Sequence, residues 1–470
     1  MSLKPYPEYK DSGVPCLGEI PAHWQALPNR ALFAEVNDRN HPEEPLLSVT
    51  IGKGVIRQTD LLADTSKKDS SNENKANYKL VQPRDIAYNK MRAWQGAIGV
   101  SHYRGIVSPA YIVVRLRGEQ NPEYFHYLLR TPAFAKEAER WSYGITSDQW
   151  SLRAEDFKQI YCSLPLKEEQ DAIVAFLTHT DRRINHLIRA KRRLIELLNE
   201  QKQAIIHRAV ARGLVPDVRL KPSGIGWLGD VPKHWEVGQI GHFAKVGNGS
   251  TPSRGNAAYW STNGYPWLNS ASVNQGIITK ADQFVTDLAL RECHLPHVRP
   301  GSVLVAITGQ GKTRGTAAVL AIEATINQHM AYISPRTMRV SPDYLQMYLT
   351  AAYVELRAIS NDAGSTKGAL TCEDVKHFKV ALPPTNEQDR LVCMVRQELA
   401  NVEATLTRIR REIDLLREYR TRLIADVVTG KLDVRGVGLP MLDEAAALED
   451  WETDEDTEAD EMDETEGVAV

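Results

Sequence analysis

Two stretches of this chain place apolar or long-stemmed residues at alternating steps of three and four. The first holds Ile173, Leu177, Thr180, Ile184, Leu187, Lys191, Leu194, Leu198, Gln201 and Ile205. The second holds Val392, Val395, Leu399, Val402, Leu406, Ile409, Ile413, Leu416, Arg420, Leu423 and Val427. This is coiled-coil spacing, tighter than that of an ordinary amphipathic helix. Pro165 and Pro383 lie just before the runs, and Glu168, Glu169, Glu387 and Asp389 suit the positive end of a helix dipole. Gly213 and Gly430 mark the ends. About 40 residues at ~1.5 Å rise make a rod of roughly 60 Å, too long to bury its stripe on one compact domain. Pairing the two runs with each other solves that problem.

The runs close two copies of a larger unit. Residues 12–24, SGVPCLGEIPAHW, return at 223–235 as SGIGWLGDVPKHW, with seven of thirteen positions identical. Leu164-Pro165-Leu166-Lys167-Glu168-Glu169-Gln170-Asp171 is answered by Leu382-Pro383-Pro384-Thr385-Asn386-Glu387-Gln388-Asp389. Ile195, Leu197, Leu198 and Glu200 are answered by Ile413, Leu415, Leu416 and Glu418. The intervening parts share far less. Both alternate short β-rich runs with turns, and each has a helical segment after a proline, Glu123 to Ala138 and Asp343 to Ala358. The expected class is α+β, with two globular domains on two long helices and an internal pseudo-two-fold duplication. The boundaries read as 1–161 and 215–380 for the domains, 162–214 and 381–432 for the helices, and 433–470 for a disordered tail.

Only about nine residues, Leu214 to Pro222, join the first helix to the second head motif, a reach of at most ~30 Å. The second domain therefore begins near the C-terminal end of helix one and feeds the N-terminus of helix two. An antiparallel coiled coil with one domain at each end brings those points together.

Composition narrows the class of partner. With 42% hydrophobic and 25% charged residues the chain reads as a soluble globular protein, without an apolar run of the roughly 18–20 residues a membrane span needs. Five scattered cysteines and no visible signal peptide suit a reducing cytoplasm. The net charge of −3 conceals 14 acids and no base between Asp443 and Glu466; without them 46 acids face 57 bases. A basic body with an acidic tail fits a nucleic-acid binder, and equally a body with a solvating tail.

Over residues 10–432 the chain resembles the specificity subunit of type I DNA restriction–modification systems. The likeness rests on the His-Trp head motifs, the Leu-Pro…Glu-Gln-Asp turns and the helices ending at Gly430-Lys431-Leu432. Asn89-Lys90-Met91-Arg92, Ser108-Pro109-Ala110-Tyr111, the run Thr308 to Gly315 and Asn327-Gln328-His329 add to it. The resemblance implies two target recognition domains, each reading half of a split, asymmetric site in double-stranded DNA. It implies helices that set the gap and dock two methyltransferase subunits, which bind S-adenosylmethionine and methylate adenine. It further implies motor-endonuclease subunits using ATP and magnesium, and no chemistry or cofactor on this chain itself.

The candidate DNA-binding residues are polar and basic side chains in loops between strands, where Lys and Arg suit guanine or phosphate and Asn and Gln suit adenine. In the first domain they are Asn89, Lys90, Arg92, Trp94 and Gln95, with Thr146 and Ser147. In the second they are Ser250, Thr251 and Arg254, then Gln310, Lys312, Thr313 and Arg314, then Ser365, Thr366 and Lys367. The expected seam of the helix pair is Ile184, Leu187, Leu194, Leu198 and Ile205 against Leu406, Ile409, Ile413, Leu416 and Leu423. Two rivals remain. Ala306 to Thr313 ends Gly-Lys-Thr like a nucleotide-binding loop, but begins with alanine and leads into Arg314-Gly315-Thr316, which opens no helix. The other is a coiled-coil interaction scaffold without a DNA role. Ser108-Pro109-Ala110-Tyr111 departs at Ala110 from the amino-methyltransferase motif and reads as a turn. Cys293, His294 and His297 have no tetrahedral spacing, so no metal is expected.

Exchanging residues 25–160 for those of another such subunit is expected to change one half-site only. Inserting one helical turn in both long helices is expected to change the gap. Sequencing of methylated sites reads both, and a change in both half-sites from either exchange would break the modular reading.

Overall fold

The computed structural model describes residues 3–63, 75–144, 150–213, 218–309, 312–361 and 368–438. Thr146, Ser147, Gln310, Ser365, Thr366, Lys367 and residues 439–470 of the acidic tail lie outside the described residues. The chain divides into two compact units, Met1–Lys191 with Arg411–Val470, and Arg192–Arg410. Two long helices, α1 (Lys167–Arg212) and α2 (Thr385–Val428), contribute a stretch to each. Among the described residues no helix is long and apolar enough to cross a membrane.

The first unit is built on an antiparallel sheet of β1 (Phe33–Val36), β2 (Ile86–Asn89), β3 (Ile98–Val100) and β4 (Tyr111–Leu116), in the order β1-β4-β2-β3. Ile86, Tyr88, Ile98 and Val114 turn into a core with Phe125 and Phe157. In place of one helix after the sheet there are two, Pro122–Leu128 and Pro132–Arg140. Pro132 has no N–H to continue the first, and Thr131 Oγ1 accepts from Phe134 N to start the second (3.3 Å).

The second unit repeats this frame. Its sheet contains β5 (Ala244–Asn248), β6 (Ser302–Ala306), β7 (Ala317–Leu320) and β8 (Met330–Pro335), in the order β5-β8-β6-β7, with Ile277–Ile278 added in parallel beside β7. The helical segment again divides, into Pro342–Ala351 and Tyr353–Asn361. A second sheet of this unit has four strands, Trp260–Ser261, Gln283–Val285, Tyr265–Leu268 and Thr325–Ile326; the first unit instead has two two-stranded sheets, Leu47–Thr50 with Gly54–Arg57 and Lys79–Val81 with Gly105–Val107.

The repeated motifs form the same clasp in each unit. In the first, Trp24 is fully buried, and His23 Nε2 lies 2.8 Å from Glu169 Oε2 in the first turn of α1. Tyr6 donates its hydroxyl to the other oxygen of Glu169 at 2.7 Å. Gln170, fully buried, accepts from Asn121 N (2.9 Å) and donates to Pro165 O (3.0 Å). In the second, His234 pairs with Glu387 at 2.8 Å, and fully buried Trp235 donates Nε1 to its other oxygen at 3.1 Å. Gln388 accepts from Ser341 N and donates to Pro383 O, both at 2.8 Å. A buried amide is tolerated only when so satisfied, which explains Glu-Gln in both copies.

The helices run antiparallel within each unit. In the first, Arg420 Nε meets Asp181 Oδ1 at 3.1 Å and Lys191 Nζ meets Glu412 Oε2 at 2.6 Å, so going up α1 goes down α2. In the second, Lys202–Glu403 (2.7 Å) and Arg208–Glu398 (3.1 Å) show the same sense. These part-exposed pairs fix register more than stability. Leu406, Ile409, Ile413 and Leu423 are buried along α2, with Leu416, Leu198 and Ile205 half-buried and Ile184 buried. Leu187 and Leu194 depart from the expected seam: they are 46% and 44% exposed, while Ile188 is buried and Ile195 half-buried. Both patterns share Ile184, Lys191 and Leu198. The partner helix lies on the i+4 side of Ile184 and Lys191, so the leucines at i+3 face outward.

The N-terminal head motif of the first unit packs on the C-terminal end of α2. Tyr9 donates its hydroxyl to Gly430 O at 3.1 Å, and Lys4 bridges to Asp433. Gly430 has φ +79°, and a Cβ there would lie 2.5 Å from Pro21 Cδ. Gly430→Ala is expected to cost about 1–3 kcal/mol for the backbone alone, and more from the clash. Gly436, at φ +76° with open space around it, is the control. Denaturant midpoints should fall further for Gly430→Ala than for Gly436→Ala; equal shifts would refute the close packing.

Candidate nucleic-acid interface

Sheet register brings distant loops together in each unit. In the first, Asn89 at the end of β2 faces Tyr111 at the start of β4. The loop from Lys90 to Ala97 and the turn Ser108-Pro109-Ala110 therefore emerge side by side. A third segment joins them, because Leu152 N donates to Lys90 O at 2.8 Å. Asn89 Oδ1 accepts from Met91 N (3.0 Å), and Trp94 donates Nε1 to Met91 O (3.0 Å) while meeting Trp150 edge-on at 5.5 Å. On this braced loop Arg92 and Gln95 are exposed, and Asn89, Lys90 and Trp94 half-buried. Beneath it Lys79 donates to Tyr111 O at 2.8 Å, and burial pulls its ammonium below the ordinary lysine range. His126, behind β3, accepts from Val100 N, and burial aided by Arg130 pushes it down to about 3, so it stands neutral.

The second unit uses the same connections. Ala306 at the end of β6 faces Met330 at the start of β8. Leu370 N donates to Ile307 O at 2.8 Å, the counterpart of Leu152 to Lys90. The turn Asn327-Gln328-His329 takes the place of Ser108-Pro109-Ala110: Asn327 Oδ1 accepts from His329 N as Ser108 Oγ accepts from Ala110 N. The side chains differ entirely. Thr308 Oγ1 pairs with His329 Nδ1 at 2.7 Å, Gln328 Nε2 lies 3.3 Å from His329 Nε2, and Thr251 donates to Gln328 Oε1 at 2.5 Å. The loop after β5 reaches this cluster because Gly249 crosses Ile326, whose carbonyl oxygen would lie 1.7 Å from a Cβ.

Of the candidates in this unit, Ser250 and Thr251 are half-buried within the cluster and Arg254 is exposed beside it. Lys312 is exposed, with its carbonyl held by Tyr353 at 2.7 Å, and Thr313 is half-buried. Arg314 corrects the sequence expectation. Only 4% exposed, it faces the protein, and its carbonyl accepts from Arg357. Gln328 and His329 were absent from the candidate residues. Alignment of Ser108-Pro109-Ala110-Tyr111 with Asn327-Gln328-His329-Met330 along the repeat would have found them.

Lys312 to Gly315 form a turn that leads into β7, a strand. A phosphate-binding loop needs a helix N-terminus at that place, so the nucleotide-loop reading fails on geometry. Among the described residues no three His, Cys, Asp or Glu side chains gather as a metal site. What gathers instead are amides, hydroxyls, an imidazole and cations, groups that hydrogen-bond base edges and phosphates.

One frame used twice, with unlike polar loops at corresponding ends and paired long helices, defines a duplicated recognition protein. Residues 33–197 and 232–409 match the family model of the type I restriction modification DNA specificity domain; the chain belongs to that family, as a specificity subunit whose role is recognition of DNA sequence. It is 23% identical over 439 residues to the putative type I restriction enzyme MjaX specificity subunit of Methanocaldococcus jannaschii, covering 89% of this chain and 96% of that one. The MjaIX specificity subunit of the same organism is 21% identical over 354 residues, 74% of either chain. A solved structure described as the basis of complex assembly and conformational transition of the type I R-M system shares the fold, with TM-score 0.66 and 17% identity over 88% of this chain and 99% of that one.

Lys312→Ala is expected to weaken duplex binding about equally across sequences and to lower the salt dependence by about one phosphate contact. Binding isotherms at several salt concentrations measure this. A changed sequence preference would show instead that Lys312 reads a base.

Proposed function

We propose that this chain reads a split, asymmetric DNA sequence, one half with each unit, and directs adenine methylation and restriction performed by other subunits. One observation carries the reading. The two units hold three loops together by equivalent backbone hydrogen bonds, Leu152 to Lys90 and Leu370 to Ile307, yet present unlike side chains there. A conserved support with exchanged contacts is what two different half-sites require.

The chain is non-catalytic in this proposal. S-adenosylmethionine belongs to two methyltransferase subunits, and ATP and magnesium to motor-endonuclease subunits, all in the cytoplasm. Docking on the helices is supported by Leu187, Leu194 and Leu197 on α1 and Leu415 and Tyr419 on α2, large apolar side chains left exposed. The antiparallel helices set the gap between half-sites.

Sequencing of methylated adenines in cells expressing this chain with its methyltransferase tests the proposal. The expected result is one asymmetric motif in two parts with a fixed gap. Methylation unchanged by the chain, or binding to duplex DNA that ignores salt, would sink it, because phosphate contacts weaken as salt rises.

A further inference from the structure

We propose that Arg254 reads a guanine edge in the half-site of the second unit, rather than contacting phosphate; the inference rests on the DNA-reading function proposed above. Its guanidinium carbon lies 3.9 Å from the ring centroid of Trp260 and 5.1 Å from that of Trp267. The two rings meet edge to face at 5.2 Å and 82°. Nη2 of Arg254 donates to Gln283 Oε1 at 2.8 Å.

The platform is tied to the loop that carries the arginine. Trp260 donates Nε1 to Ser253 O at 3.1 Å, and Trp267 donates Nε1 to Ser250 O at 3.2 Å. Loop, rings and guanidinium therefore form one body, yet Arg254 remains exposed. A guanidinium fork can grip a phosphate or a base edge, so the position of Arg254 decides between them. A planar fork fixed before binding has lost its rotamer entropy in advance, and suits the bidentate contact to O6 and N7 of guanine.

Position supports the same assignment. Arg254 is three residues from Thr251, whose hydroxyl joins the Gln328–His329 cluster. Its platform belongs to the four-stranded sheet of Trp260–Ser261, Gln283–Val285, Tyr265–Leu268 and Thr325–Ile326, where the first unit has two-stranded sheets instead. A cleft lined by Trp267, Asn269, Ser272, Gln275, Asp282 and Gln283 opens beside it, offering acceptors for the cytosine amino group of the same base pair. Sequence preference belongs where the two units differ.

The test maps methylated adenines genome-wide for the full chain with its methyltransferase subunits, as wild type, Arg254→Lys and Trp260→Leu. Arg254→Lys keeps the charge and loses the fork. The expected result is one guanine position of the second half-site losing about tenfold or more of its preference, with the first half-site unchanged. Trp260→Leu is expected to relax the same position. An unaltered motif, or methylation falling evenly across all sites, for Arg254→Lys would overturn the proposal in favour of a phosphate contact or none. Relaxation by Arg254→Lys without any by Trp260→Leu would overturn the clamped geometry. Failure of the wild type to methylate a split motif would instead overturn the DNA-reading function itself.

Discussion

A carboxylate followed by a buried amide, at the start of each long helix, is the interaction on which the rest depends. Glu169 and Glu387 hold the histidine of the head motif; Gln170 and Gln388 hold both the Leu-Pro turn behind them and the helix that follows the sheet. Each pair joins three pieces of chain that are far apart in sequence: the head motif, the helix after the sheet and the turn that opens the long helix. Losing either residue strands buried donors and acceptors, a cost of about 1–3 kcal/mol per group. That cost keeps the clasp the same in both copies while the loops diverge.

Divergence is cheap where backbone hydrogen bonds do the positioning. The ends of β2 and β6 are set by the ladder, and the third segment is held by a main-chain hydrogen bond in both units. Side chains on these loops can therefore change without disturbing the support. The first unit presents arginine, lysine and glutamine on a tryptophan-braced turn. The second presents a threonine–histidine–glutamine cluster with an arginine stacked on indole. Support and selectivity reside in different atoms.

The frame was legible in the sequence because it is written twice. Head motif, Leu-Pro turn and heptads recur with their spacing, and the antiparallel sense followed from the short connection after Gly213. The seam was legible on α2 but half wrong on α1, where Leu187 and Leu194 sit one residue from Ile188 and Ile195. Apolar residues on both sides of the shared positions leave the choice to the partner helix, which periodicity does not contain. The site was legible only as polar runs. Arg314 looked like a contact residue, but its burial is set by packing across the unit. Gln328 and His329 enter through the register of Ala306 with Met330, a pairing of residues distant along the chain.

The bridge from Lys4 to Asp433 has a consequence for synthesis on the ribosome. The second unit is one continuous stretch, Arg192–Arg410, and its chain is complete while the last segment is still unmade. The first unit, though begun earlier, needs Arg411 onward to close. The order of completion is thus the reverse of the order of translation. A message cut short after Arg410 yields a finished second reader beside a first one whose Trp24 and Pro21 have no helix end to cover them. The chain withholds its first reader until nearly all of it has been made.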